Sequence, residues 1–346
     1  MRQGTEGNIL AVGGIGSGKS FGLAKPTLRM WQGAICATDI KGELSAFYEE
    51  LFKNGIVDRP CIIFDPMQAD GIGYDPFWWL IEDGESNLVN NVWEIVLAII
   101  PRSHNDNQPF WVETEQGILA AALLYYFKLG LSFSETMIEI VASTVTVLVD
   151  NILTKGDVVE RMFLGELINM KPETLANFDR GLRNKLMLFA TDPYISNAFC
   201  GSREGAECFN WADMDESNIF LRIPADKIEQ LGGAINLMLT QLIRHLERRP
   251  DKYTPEGANN LQALLLLDEF ARFGKLEIIS NAMATLRSKD VNFCLMIQSL
   301  AQLDKLYGEH ERRIILDNCQ YIAILRANDA DTQKYFSELI GSINPT

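Results

Sequence analysis

The chain has 346 residues, of which 47% are apolar. That supplies a sizeable core and excludes wholesale disorder. A net charge of −15 excludes a protein that coats duplex DNA with a broad basic face. It leaves room for a nucleic-acid motor whose contacts are a few loops inside a pore.

The length fits two ordinary domains, or one large α/β domain with an insertion. Residues 8–12 read as a short buried strand. Gly13, Gly14, Ile15, Gly16, Ser17, Gly18, Lys19 and Ser20 follow, and they fit the phosphate-cradling pattern G-x-x-x-x-G-K-[ST] at every fixed position. Ser20 and Phe21 open a helix. The glycines let backbone N–H groups turn toward a polyphosphate, and the helix start adds its positive dipole end. Lys19 is placed to reach the β- and γ-phosphates, and Ser20 to hold Mg²⁺.

Strand signals recur at 34–39 and 61–66, with a helix at 44–54 between them. This alternation implies a parallel sheet covered by helices. From about 86 to 200 the pattern turns helical: 88–100, 110–129, 134–142, 158–169 and 175–190 carry helical spacing. Ser134 and Lys171-Pro172 read as helix starts. The stretch 141–149 is rich in β-branched residues and is a weaker helix former. The block reads as an all-α domain inserted into a nucleotide-binding domain of 1–85 and 201–346. The sheet resumes at 218–223, and a helix is expected over 233–248. Strands follow at 261–267, 292–298 and 321–325, with helices at 278–288, 299–306 and 331–340.

The apolar run 264–267 throws Asp268 and Glu269 out of its C-terminal end. Asp268 is the expected Mg²⁺ ligand, and Glu269 the group that orients and activates water. A water-activating acid tells against a small-molecule kinase. Gln298, at the next strand end, is the expected γ-phosphate sensor, because neighbouring strand ends in open α/β sheets build the site. Arg287 is a candidate arginine finger toward a neighbouring subunit, against the simpler reading of a solvated helix-end arginine. Arg326 is a second candidate of that kind. Trp78, Trp79, Trp93 and Trp111 read as core or domain-junction residues rather than base-stacking surfaces.

Six cysteines (Cys36, Cys61, Cys200, Cys208, Cys294 and Cys319) contain no C-x-x-C pair, and the three histidines (His104, His245 and His310) add no zinc pattern. Reduced, packed thiols of a cytosolic protein are expected. No signal peptide is apparent. No apolar run reaches the roughly 18–20 residues that span a bilayer, so the chain is expected to be soluble.

Several strings resemble the cytoplasmic ATPase of type IV secretion coupling proteins, the TraG-like conjugation pumps. They are Lys25-Pro26 after the loop, Thr38-Asp39-Ile40-Lys41-Gly42-Glu43, Phe64-Asp65-Pro66, Tyr74-Asp75-Pro76 and Leu267-Asp268-Glu269-Phe270-Ala271-Arg272-Phe273-Gly274-Lys275-Leu276. Ile297-Gln298-Ser299-Leu300-Ala301-Gln302-Leu303, Tyr307-Gly308, Asn318-Cys319 and Gly341 complete the set. The resemblance implies a RecA-like P-loop sheet with an inserted all-α domain, and ATP with Mg²⁺ bound between subunits of a ring hexamer. It implies ATP-driven passage of single-stranded DNA with its relaxase, or of effector proteins, into a secretion channel. Arg287 falls where the family shows a trans-acting arginine. The family's N-terminal membrane helices and its continuation past Asn344-Pro345-Thr346 are not present. The chain is thus expected to be a soluble cytoplasmic fragment, able to remain a monomer, of a protein at the inner-membrane face of a bacterium. Two alternatives stand: another RecA-like DNA translocase, such as a septal chromosome pump, and a cargo-receptor module whose hydrolysis is weak in isolation.

Overall fold

The computed structural model describes residues 6–101, 109–199 and 207–341. His104, Cys200 and Asn344-Pro345-Thr346 lie outside the described residues. The chain divides into two compact units. One comprises Met1–Phe64, Trp211–Gly232 and Leu242–Thr346; the other comprises Asp65–Asn210 and Gly233–Gln241.

The described strands are β1 (Asn8–Gly13), β2 (Ala34–Asp39), β3 (Cys61–Phe64), β4 (Gly73–Tyr74), β5 (Cys208–Phe209), β6 (Asn218–Arg222), β7 (Ala263–Leu267), β8 (Val291–Ile297) and β9 (Cys319–Arg326). Seven of them form one sheet in the order β3-β6-β2-β7-β8-β1-β9. Every pairing is parallel. Parallel strands covered on both faces need apolar side chains pointing both ways, not an alternation. Strands β7 and β8 obey this, with every residue buried. Ile35, Ala37, Phe220, Leu264, Leu266 and Met296 pack in one cluster with Leu28 and Tyr48 of the flanking helices.

Two buried asparagines tie the sheet together. Asn8 Oδ1 accepts the Phe293 N–H at 2.9 Å, and its Nδ2 donates to the Met283 and Asn318 carbonyls. Asn218 Oδ1 accepts the Ile35 N–H at 2.9 Å, while its Nδ2 donates to Tyr48 Oη. Each satisfies groups that are costly to bury unpaired.

The strand order matters for function. β1 and β2 are consecutive in the chain but separated in the sheet by β7 and β8. The loop leaving β1 therefore opens beside the C-terminal ends of β8 and β7. Such reversals are where open α/β sheets bind ligands.

The helical unit is built around the helix Pro109–Lys128, whose residues 115–124 are all buried. A helix apolar around its circumference belongs at the centre of a bundle. The buried Glu115 on it pairs with Lys185. The unit also holds the β4–β5 ribbon and the segment 65–85, beyond the predicted block.

Several predicted boundaries move. The helix start expected at Ser134 is at Ser132, which forms a reciprocal capping box with Glu135. Ser134 Oγ instead donates to the Ser196 and Phe199 carbonyls. The β-branched stretch breaks at Ser143, and Thr144 caps the helix Val145–Lys155. The helix expected over 158–169 ends at Phe163, before Gly165. The helix expected from 233 begins at Ile228, with two glycines inside it. A Cβ on Gly232 would come within 3.1 Å of the Phe273 carbonyl oxygen, so close packing explains that residue. The helix expected over 299–306 runs from Leu300 to Asp317, broken at Gly308. Trp78 and Trp79 are buried, and Trp111 packs on Phe178 with centroids 4.7 Å apart. The five described cysteines are free thiols. Among the described residues no single helix is long and apolar enough to cross a membrane.

Candidate nucleotide site

Strand β1 ends at Gly13, and the loop turns through Gly16 (φ 72°) and Gly18 (φ 86°). Both lie in the left-handed region that a side chain makes costly. A Cβ on Gly13 would collide with Ser17 Oγ, so a larger residue there would force Ser17 to move. Ser20–Ala24 then form a widened π turn before the helix Lys25–Met30. Pro26 has no N–H to return to the Gly22 carbonyl, which disfavours a regular α turn there.

The loop's polar groups are unusually free. The N–H groups of Ile15, Gly16 and Gly18 donate to no partner among the described residues. Ser17 Oγ is buried without a partner. Gly14 N–H donates to the Arg326 carbonyl at 3.3 Å, which ties the loop to the end of β9. Unpaired donors at a helix start are a natural seat for phosphate oxygens.

Lys19 is 6% exposed; its Nζ donates to the Gly13 carbonyl and lies 3.9 Å from Glu269 Oε1. Glu269 Oε2 in turn accepts from Gln298 Nε2 at 2.8 Å. Residues 250 positions apart thus meet in one chain of contacts. Glu269 holds a left-handed backbone, φ 50° and ψ 38°. Strained non-glycine residues of this kind cluster at functional sites.

Asp268 is 9% exposed, and its carboxyl is pushed up to about 6. Burial is the main cause, followed by the charge of Glu269; Lys19 opposes both. Its carbonyl accepts from Thr38 Oγ1 at 3.0 Å, and Asp39 adds further negative charge. Asp39 Oδ2 is engaged by Leu44 N–H, Ser45 N–H and Ser45 Oγ. Mg²⁺ binds through one or two carboxylates, a hydroxyl, phosphates and water. Ser20 and Asp268 are residues of the right chemistry for it.

A raised carboxyl pKa costs stability once the pH passes from the unfolded value, near 4, through the folded one, near 6. Asp268→Asn is therefore expected to raise the melting temperature at pH 8 and to leave it unchanged at pH 4. Thermal unfolding followed by circular dichroism at the two pH values measures this.

The sequence-derived site residues divide into two groups. Gly13 to Ser20, Asp268, Glu269 and Gln298 sit together at the C-terminal edge of β1, β7 and β8. Phe21 follows them, 79% exposed. Arg287 does not join them. It lies in the turn Leu286–Lys289 that feeds β8, hence at the opposite edge, about 20 Å away by strand length. There it is 57% exposed and faces Glu6 at 3.9 Å. Arg326 is at the site's edge: its backbone holds Gly14, and its side chain donates to Asn328 Oδ1 at 2.9 Å. Asn328 lies against Gly14 and was not anticipated from the sequence, nor was Thr38 as a partner of Asp268. The strand-end rule that found Gln298 would have flagged Thr38, near the end of β2.

Parallel sheet, glycine loop and acidic strand end define a RecA-like P-loop fold, and the solved coupling protein TrwB shares it. In complex with the GTP analogue GDPNP, TrwB superposes with a TM-score of 0.73 at 19% identity, over 96% of this chain and 74% of that one. TrwB has also been solved with ADP and Mg²⁺. The family model for type IV secretory system conjugative DNA transfer matches residues 2–344, and the chain belongs to that family. Conjugal transfer protein TraG of Escherichia coli is 23% identical over 358 residues, covering 97% of this chain and 55% of TraG. Protein VirD4 of Rhizobium radiobacter is 24% identical over 351 residues, covering 99% and 49%. The chain spans about half the length of the curated relatives it matches.

Proposed function

We propose that the chain binds ATP with Mg²⁺ at the C-terminal edge of its sheet and hydrolyses it to move cargo through a type IV secretion channel. The observation that carries this reading is the convergence of Lys19, Glu269 and Gln298 beside a glycine loop with unpaired N–H groups. The loop N–H groups hold the phosphate oxygens. Lys19 leaves the Gly13 carbonyl to reach the β- and γ-phosphates. Ser20 and Asp268 would hold Mg²⁺, which would supply positive charge against that developing on the phosphates. Glu269 orients a water and accepts its proton, and Gln298 fixes the Glu269 carboxylate while reporting the γ-phosphate.

The cargo we assign is single-stranded DNA with its relaxase, effector proteins, or both. The working form is a ring of six subunits at the cytoplasmic face of the bacterial inner membrane. In that ring Arg287 of one subunit serves the site of the next, which agrees with its distance from its own site; Arg326 is the second candidate. Family membership and the likeness to TrwB, which has been solved with ADP and Mg²⁺, support this assignment.

The purified chain is expected to release phosphate from ATP only when Mg²⁺ is present. Phosphate release and nucleotide affinity are measured together. A chain that binds no nucleotide overturns the reading.

A further inference from the structure

The helical unit contains a cavity of about 230 Å³ where three of its elements meet. Its wall combines Trp93 from the helix Leu88–Ile99, Phe110 and Glu113 from Pro109–Lys128, and Met162, Phe163 and Glu166 from the segment after Glu160. Trp93 and Phe163 meet edge to face, with centroids 5.6 Å apart. Gly117 brings the two helices close: a Cβ there would come within 3.1 Å of the Phe163 carbonyl oxygen. Glu113 and Glu166 are both exposed, and neither forms an ion pair among the described residues. Met162 is 73% exposed and Phe110 46%, an apolar surface open to solvent.

We propose that this cavity receives a lysine or arginine side chain from a basic segment of a protein partner. The ring faces and the two carboxylates select the same kind of group. Aromatic faces attract a cation through their quadrupole, best at Trp. The two carboxylates lining the cavity neutralise it, and a guanidinium can engage either one in a fork. The methylene stem of such a side chain packs on Met162 and Phe110. Nucleic acid does not fit, because its phosphates would meet two unpaired carboxylates. The inference rests on the secretion-coupling reading only for the bearer of the segment, which is then a transported protein. The pocket's chemistry stands without it.

The test uses the full chain and a fluorescein-labelled glycine–arginine repeat peptide with blocked ends. A second peptide carries citrulline, which keeps the shape of arginine without its charge. Glu113→Gln with Glu166→Gln is expected to weaken binding of the arginine peptide about fivefold or more. Glu139→Gln with Asp150→Asn changes the net charge equally on exposed positions of the same unit. That pair is expected to weaken binding less than twofold, and the citrulline peptide is expected not to bind. Met162→Lys, at an exposed position that does not test the fold, places a tethered cation in the cavity and should abolish binding. Equal losses in the two double variants would reduce the effect to attraction by an acidic surface and overturn the proposal. So would unchanged binding in the pocket variant. ATP hydrolysis is assayed on the same samples. Peptide binding without hydrolysis fails the motor reading alone; hydrolysis without peptide binding fails the pocket alone.

Discussion

Glu269→Gln is expected to lower the turnover number for ATP about 10²- to 10⁴-fold, the range that a positioned general base contributes. Nucleotide affinity should change little, because the side chain meets water rather than phosphate in the proposed mechanism. The geometry makes the substitution clean. Gln298 Nε2 donates to Glu269 Oε2, and an amide oxygen at the same place still accepts that bond. The left-handed backbone at 269 is paid by glutamate and glutamine alike. Rapid-quench measurement of the chemical step, beside equilibrium binding of ATP, separates the two quantities. Full turnover in this variant would remove Glu269 from its assigned role.

Lys19→Ala is expected to act on binding and chemistry together, with kcat/KM falling at least about 10²-fold. Losing one partner of a buried charge pair commonly costs 2–5 kcal/mol, much of it from the charge left behind. Here the residue left behind is Glu269, next to Asp268, whose carboxyl already stands near 6. Removing the one cation that opposes that shift drives Asp268 further up, so Mg²⁺ must compete with a proton at higher pH. The pH at which Mg²⁺ affinity is half lost should therefore rise in Lys19→Ala. Titration of Mg²⁺ binding at several pH values detects this. A variant with lower affinity for ATP and an unchanged pH profile would separate phosphate binding from the acidic pair.

The fold class was legible because its signals are local. A buried strand, a glycine loop and a helix start occupy 8–24, and the apolar run 264–267 ends in two acids with no intervening residue. What escaped depended on contacts between distant segments. Ser132, not Ser134, caps its helix because Ser134 is drawn to carbonyls more than 60 residues away. Helix Ile228–Glu247 tolerates Gly232 because the Phe273 backbone presses on it, and no periodicity reports that. Asn328 reaches the glycine loop through the pairing of β9 with β1, which the sequence could not order. The left-handed state of Glu269 is likewise imposed by the turn after β7 and leaves no compositional trace.

The pairing of β1 carries a further consequence, for synthesis of the chain. Both sheet neighbours of β1 are the last two strands, and the bond from Phe293 N–H to Asn8 Oδ1 spans 285 residues. At roughly 5–20 residues per second, a ribosome needs on the order of 15–60 s to make what lies between. For that interval the phosphate-loop strand is an apolar segment with two open edges. A nascent chain must keep it shielded, and the proposed nucleotide site stays incomplete until translation has passed Gln298.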